Sequence, residues 1–397
     1  MEKLIVQPLQ RSTISVVIVI DALDECKDEE PASAILSVLG RFVSKLSRVK
    51  FFLTGRPEPR IRNGFRLPLL ERATDIFVLH EVNLSQVTSD IKKFLRSSFL
   101  ELAHYWPRLG NWPSEAELDI LCKRAAGLFV YAVATVKFIS SKSNNPKKRL
   151  DLLLKLPDNT TYEGKTKFNA TTTLDLLYTS ILQEAFSDNI PEDDAMVRFV
   201  LSAVVFAANP LSLPAIAILL GLDIEDVTPL LSSIHSLLVI PENMNHPVRP
   251  FHKSFPDFIT DSTWCTNERF LISPHHNQEL VLCCFRLMNQ KLERNMCNLS
   301  EGVMNSEVND LEERREQYID HALQYACKLW HRHLIDKLII HRAEIIPALH
   351  DFLEKRFLCW LEVLSVFGSV RSAIDALRAT VKWLGVSPAV VLTIRKF

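Results

Sequence analysis

The run Val16-Val17-Ile18-Val19-Ile20, followed at once by Asp21-Ala22-Leu23-Asp24-Glu25, constrains this chain more than any other segment. An unbroken β-branched stretch predicts a strand buried on both faces, as in a parallel sheet. Asp21, Asp24 and Glu25 then crowd negative charge at the strand's carboxyl end, the edge at which open α/β sheets bind ligands. Carboxylates there can hold Mg²⁺ beside a nucleoside triphosphate, the first of them often through water. An acidic residue slightly further on can orient an attacking water. The plain alternative is a strand leading into a solvated acidic helix start, where the macrodipole also favours Asp and Glu.

The flanking pattern supports a sheet. Residues 31–46 place Ile35, Leu39, Phe42 and Leu46 at helical spacing, a second apolar strand is predicted at Val49–Leu53, and a third at 76–79. Strand, helix and strand in this order make one right-handed crossover. The crossover carries Thr54 and Arg56 to the same edge as Asp21, where an arginine can neutralise a γ-phosphate. Taken alone, an arginine in a turn before Pro57 is ordinary.

From Ser85 onward the period becomes helical, with Val87, Ile91, Phe94, Leu95 and Phe99 largely on one face. Ser114 and Glu117 have the spacing of a capping box, and the apolar stretch 127–139 predicts a buried helix. Polar, turn-rich sequence at 140–145 and 157–173 marks a linker region with a leucine-rich helix between. Residues 237–240 and 248–251 flank a turn-rich Pro-Glu-Asn-Met-Asn-His-Pro and read as a β-hairpin; helices before such a hairpin point to a winged-helix domain. Residues 301–317 are acidic and polar and predict an exposed connection, and the remainder predicts short helices without a regular repeat.

A chain of 397 residues predicts two or three domains, and only 10 glycines favour helices over hairpin-rich β structure. The net charge of −1 argues against a general polyanion binder, and residues 211–222 carry no lysine or arginine with which to read a DNA groove. The eight cysteines show neither a Cys-x-x-Cys pair nor Cys/His ligand spacing, which argues against zinc. Without a secretory signal at Met1-Glu2-Lys3, they read as buried apolar residues in the reducing cytosol. The uncharged run 199–222 is long enough to span a bilayer. However, Asn209-Pro210, a capping Ser212 and Pro214 in a first helical turn split it into two buried helices, so no membrane partner is expected.

These segments together resemble the NACHT-type STAND NTPases, particularly the large fungal NOD-like receptor proteins. The likeness runs through residues 16–26 (VVIVIDALDEC), 52–61 (FLTGRPEPRI), 127–139, 174–186 (LDLLYTSILQEAF) and 210–261, and covers residues 2–330. The resemblance implies that Asp21 is the Walker B magnesium residue, Asp24 and Glu25 the acidic pair linked to hydrolysis, and Arg56 the sensor arginine. It also implies that His252, within His-Lys-Ser-Phe-Pro-Asp-Phe, is the winged-helix histidine that touches the β-phosphate of bound ADP. The alternative for His252 is a partly buried histidine beside a helix-capping Ser254. Gly55 stands where many relatives have serine, and Phe129 where the plant-type motif has proline.

The implied fold class is α/β followed by mostly α: a truncated P-loop NTPase parallel sheet, then helical and winged-helix domains. The expected divisions are a partial NTPase core at 1–84, a helical domain at 85–156, a linker at 157–173, a winged-helix-containing domain at 174–265 and a helical region at 266–397. The family's phosphate loop needs Gly-x-x-x-x-Gly-Lys-Ser/Thr, and residues 1–20 contain no glycine. Gly164-Lys165-Thr166 is a decoy, with Asn159 where the first glycine would stand and no buried strand before it. The intact family uses Mg²⁺ with ATP or GTP; this chain alone is expected to bind nucleotide weakly or not at all. Two readings therefore stand: an incomplete signalling NTPase switch that works through protein partners or self-association, and a non-catalytic helical adapter. A third, direct NTPase activity, would require the loop to be supplied from upstream or by a partner.

Overall fold

The computed structural model describes residues 7–8, 14–26, 29–46, 48–78, 83–106, 112–141, 145–157, 170–188, 190–300, 302–334 and 342–385. The chain divides into two compact units, Met1–Asn83 and Leu84–Phe397.

In the first unit, strand β1 (Val16–Ile20) pairs in parallel with β2 (Val49–Leu53), in a register that sets Val16 opposite Val49 and Ile20 opposite Leu53. Helix α1 (Glu29–Phe42) makes the crossover. Its Ala32 and Leu36 form a small core with Leu23, with Ile61 of α2 (Pro59–Phe65) and with Leu70 of α3 (Pro68–Glu71); Ile20 and Leu53 pack against it. Gly64 lets α2 lie close to α1, because a Cβ there would meet Leu36 Cδ1 at 2.3 Å.

Two expectations are corrected here. Among the described residues the sheet is covered on one face: Ile18, Ile20, Phe51 and Leu53 face the helices, whereas Val17, Val19 and Phe52 are 63%, 63% and 59% exposed. A continuous apolar run cannot reveal this, because both faces of the strand carry the same residue types. Residues 76–78, the described part of the expected third strand, form no strand either. Residues 74–78 are irregular, Ile76 and Phe77 are both exposed rather than alternating, and Leu79 lies outside the described residues.

The second unit is helical apart from one short hairpin among the described residues. Helices α4 (Leu84–Tyr105), α5 (Glu115–Ala125), α6 (Phe129–Ile139), α7 (Pro146–Leu154) and α8 (Ala170–Ala185) come first. Ser114 and Glu117 form the expected reciprocal cap on α5. Arg124 at the end of α5 donates to the carbonyls of Leu153, Leu154 and Leu156, which satisfies groups that α7 leaves open at its C-terminus.

The uncharged run 199–222 is divided between α9 (Pro191–Phe206) and α10 (Leu213–Leu220). Ser212 caps α10 by accepting from the Ala215 amide, and Gly221 at φ 70° ends it. Among the described residues no helix is long and apolar enough to cross a membrane. Helix α11 (Ile224–Ser233) leads to the hairpin of β3 (Leu238–Val239) and β4 (Arg249–Pro250), to which Ser212 adds a bridge with Pro247.

Helices α12 (Ser254–Thr260), α13 (Pro274–Lys291), α14 (Leu311–Tyr318), α15 (His321–Leu329), α16 (Arg342–Lys355), α17 (Phe357–Val366) and α18 (Val370–Leu384) complete the unit. One continuous apolar core joins residues from α4 to α18. Six of the cysteines are buried, and all eight are free thiols. Burial pushes Cys265 and Cys283 up to about 11, so these thiols stay protonated at neutral pH.

At the heart of the C-terminal helices, Phe352 stacks on Phe285 at 5.4 Å and meets Trp360 edge-on at 5.6 Å, with all three rings fully buried. Phe352→Ala should therefore lower stability by about 3–5 kcal/mol. Urea unfolding would show this as a lower midpoint at an unchanged slope.

Candidate functional site

The tips of β1 and β2 form a compact polar edge. Thr54 ties them together: its amide donates to the Ile20 carbonyl at 3.0 Å, its carbonyl accepts from the Leu23 amide at 2.9 Å, and its hydroxyl accepts from the Ala22 amide at 2.8 Å. The same hydroxyl donates to Asp21 Oδ1. Ala22 sits in the left-handed region at φ 51°, ψ 52°, which costs a Cβ-bearing residue roughly 1–2 kcal/mol. That turn feeds the short 3₁₀ segment Leu23–Glu25.

The turn separates the acidic residues. Asp21 and Glu25 are exposed, while Asp24 is only 5% exposed. Asp24 Oδ1 accepts from the Arg56 backbone amide at 3.0 Å, and Oδ2 lies 3.6 Å from Arg56 Nε. Because the Arg56 side chain is 42% exposed, the amide contact carries more of this interaction than the ion pair. Arg60 closes the loop from the other side, donating to the Asp24 carbonyl at 2.8 Å and to Glu58 Oε2 at 2.8 Å. A Cβ at Gly55 would stand 3.4 Å from Asp24 Oδ1, an ordinary contact, so the approach does not itself demand glycine.

The structure thus brings Asp21, Asp24, Glu25 and Arg56 to one carboxyl edge. Asp21 is held by Thr54, Asp24 by the Arg56 backbone, and Glu25 projects outward. Asp21 and Glu25 are oxygen donors of the kind Mg²⁺ takes, and an exposed carboxylate can reach a hydrated ion through water. Asp24 is committed to shaping the turn.

His252 lies in the second unit, between β4 and α12. Its Nδ1 accepts from the Ser254 amide at 3.2 Å and contacts the Ser254 hydroxyl at 2.7 Å, and that hydroxyl pairs with the Tyr178 phenol of α8 at 2.7 Å. An Nδ1 that accepts from a backbone N–H leaves the imidazole proton on Nε2. Ser254 is therefore not the helix cap expected of it. The cap position is Lys253, and the hydroxyl is taken by a tyrosine far away in sequence. Tyr178 also packs against Phe255 and Phe258, and the Lys137 ammonium sits 3.6 Å above the Phe251 ring.

One cluster went unnoticed in the sequence: His275, His276 and Glu279 place a ligand atom each within 4.8 Å of one another at the start of α13. Its sequence signal is His-His-x-x-Glu, which carries none of the cysteine-based ligand spacings.

Comparison with known proteins finds two likenesses. The N-terminal family of nephrocystin 3 matches residues 1–56. Over 396 aligned residues, 93% of this chain is 25% identical to the vegetative incompatibility protein HET-E-1 of Podospora anserina. This chain is a relative of the fungal NACHT-type NTPases. It spans 27% of HET-E-1's length. No solved structure matches it.

Two measurements follow from the geometry. Asp24→Ala leaves the Arg56 amide without its charged acceptor and should cost about 1.5–3 kcal/mol, whereas Asp21→Ala at the exposed tip should cost under about 1 kcal/mol. Urea denaturation of both variants tests the ranking. Asp175, one turn before Tyr178, has its carboxyl pushed up to about 6 by burial and by the charge of Asp261. Ionising it is harder in the folded chain than in the unfolded one, so the penalty is absent below about pH 4 and complete above about pH 6. Asp175→Asn should match the parent in melting temperature at pH 4 and exceed it at neutral pH.

Proposed function

We propose that this chain is a regulatory segment of a NACHT-type signalling switch related to fungal NOD-like receptors. The observation that supports this best is the union of Asp21, Thr54 and Arg56 at the carboxyl edge of a parallel strand pair. In this reading Asp21 is the Walker B carboxylate, holding Mg²⁺ through water, and Glu25 is the acidic residue that orients an attacking water. Asp24 takes part by fixing the backbone that presents Arg56, whose guanidinium answers a γ-phosphate. Mg²⁺ would supply charge neutralisation between phosphate oxygens, and ATP or GTP would be the nucleotide.

Helices α9–α11 followed by the β3–β4 hairpin form the winged-helix domain of this reading, with His252 at its phosphate-facing position. The Nε2–H of a neutral His252 is a donor suited to a phosphate oxygen. Nucleic acid is a poor partner, because α10 is largely buried and α11 carries Glu225 and Asp226 without any lysine or arginine. Protein partners or a second copy of the chain fit better. The exposed apolar sheet face of Val17, Val19 and Phe52 supports a place for this sheet within a larger one.

The sequence of these 397 residues contains no Gly-x-x-x-x-Gly-Lys-Ser/Thr, which favours a second reading: a non-catalytic helical adapter that keeps the scaffold without the turnover. Titration calorimetry with Mg-ATP and Mg-GTP separates the two. The expected result is binding weaker than micromolar by this polypeptide. Micromolar affinity that Asp21→Asn abolishes would instead establish a working nucleotide site, and self-association by light scattering without nucleotide would favour the adapter.

A further inference from the structure

We propose that His275, His276 and Glu279 form a binding site for a divalent transition metal ion of the zinc class. The three residues occupy the first turns of α13, where His275 and Glu279 are four apart and His276 and Glu279 three apart, so all project to one side of the helix. One ligand atom from each lies within 4.8 Å of the others, close enough for a small ion to draw them in with minor side-chain rotation. The histidine rings are 3.8 Å apart between centroids, and His276 is buried.

A second observation concerns Ser273, the residue that caps α13. Its amide donates to His276 Nδ1 at 3.2 Å, its carbonyl oxygen lies 3.2 Å from the same nitrogen, and its hydroxyl contacts Nδ1 of both His275 and His276. While His276 Nδ1 accepts from the Ser273 amide, its proton stays on Nε2. In the other tautomer Nδ1 donates to the Ser273 carbonyl and the lone pair is on Nε2, the usual arrangement of a zinc-bound histidine oriented by an outer hydrogen bond. A bound ion would select this second tautomer. The orienting shell is thus present in the polypeptide itself.

The third observation is the space in front of the cluster. The three residues line an open cavity of about 690 Å³ with a largely apolar wall that includes Met196 and Phe199. Three protein ligands facing such a space leave a coordination position for water or a small anion, which is the pattern of an open zinc site rather than a closed structural one. Arg198 and Arg286 also line the cavity. Arg286 is anchored on the Leu219 and Leu220 carbonyls and Arg198 on that of Arg269, so both are held in place and favour an anion at the open position. Their charge and the positive end of α13 oppose a bare cation, while Glu279 offsets part of that. Imidazole donors select zinc, cobalt or nickel over magnesium. This site is independent of the nucleotide reading.

The test uses the full chain, stripped of metal. Zn²⁺ titration should give about one ion per chain, and Co²⁺ should give d–d absorption of a low-coordinate site without a thiolate charge-transfer band, since no cysteine is a ligand. Glu279→Gln and His275→Ala should each weaken binding at least about tenfold, and Ser273→Ala about ten- to a hundredfold, with circular dichroism unchanged. If His275→Ala perturbs folding, Glu279→Gln alone decides. Absence of binding, a thiolate band, or Zn²⁺ affinity unaltered in Glu279→Gln would overturn the assignment.

Discussion

Thr54 uses its amide, its carbonyl and its hydroxyl to sew the end of one strand to the end of the other, and the whole acidic edge hangs on that stitch. A threonine suits the position because it combines a β-branched side chain, at home at a strand end, with a hydroxyl that can accept and donate at once. The backbone contacts fix the parallel pair beyond its last ladder residues. The hydroxyl fixes the direction in which Asp21 points. Were the strands to slip, Asp24 would lose the Arg56 amide, and the loop would lose its shape together with its charge pairing.

The two units hold themselves together by different means. The first has a small core under a sheet with one bare apolar face, so polar stitching at the strand tips carries an unusual share of its definition. The second has one unbroken apolar core, with buried arginines closing helix ends and a knot of aromatic rings near the C-terminal helices. The polar clusters correspondingly lie at margins: a strand edge, a hairpin exit, and the first turn of α13.

Much of this was legible in the sequence wherever the determinant was local. The Ser114 box, the Ser212 cap and the break at Asn209-Pro210 all depend on residues within a few positions of each other, and the crossover was legible from the periods of its successive segments. What escaped depended on partners far along the chain. The burial of Asp24 follows from an amide 32 residues away, and the role of Ser254 from a tyrosine 76 residues away. Residues 76–78 form no strand for a different reason: Ile76 and Phe77 are adjacent and both exposed, without the alternation that seats a strand on a core. The adjacent histidines of α13 were visible as letters but not as a cluster, since neighbours on a helix ordinarily diverge.

The left-handed torsion at Ala22 has a consequence for how this loop can vary. It acts as a switch point in the chain's path, sending the carboxylate before it outward and the one two residues after it inward. A single inserted or deleted residue between Asp21 and Asp24 would carry Asp24 away from the Arg56 amide while leaving every charge in the loop in place. Length here is therefore more tightly bound than identity, and glycine is the substitution at position 22 that the geometry would welcome.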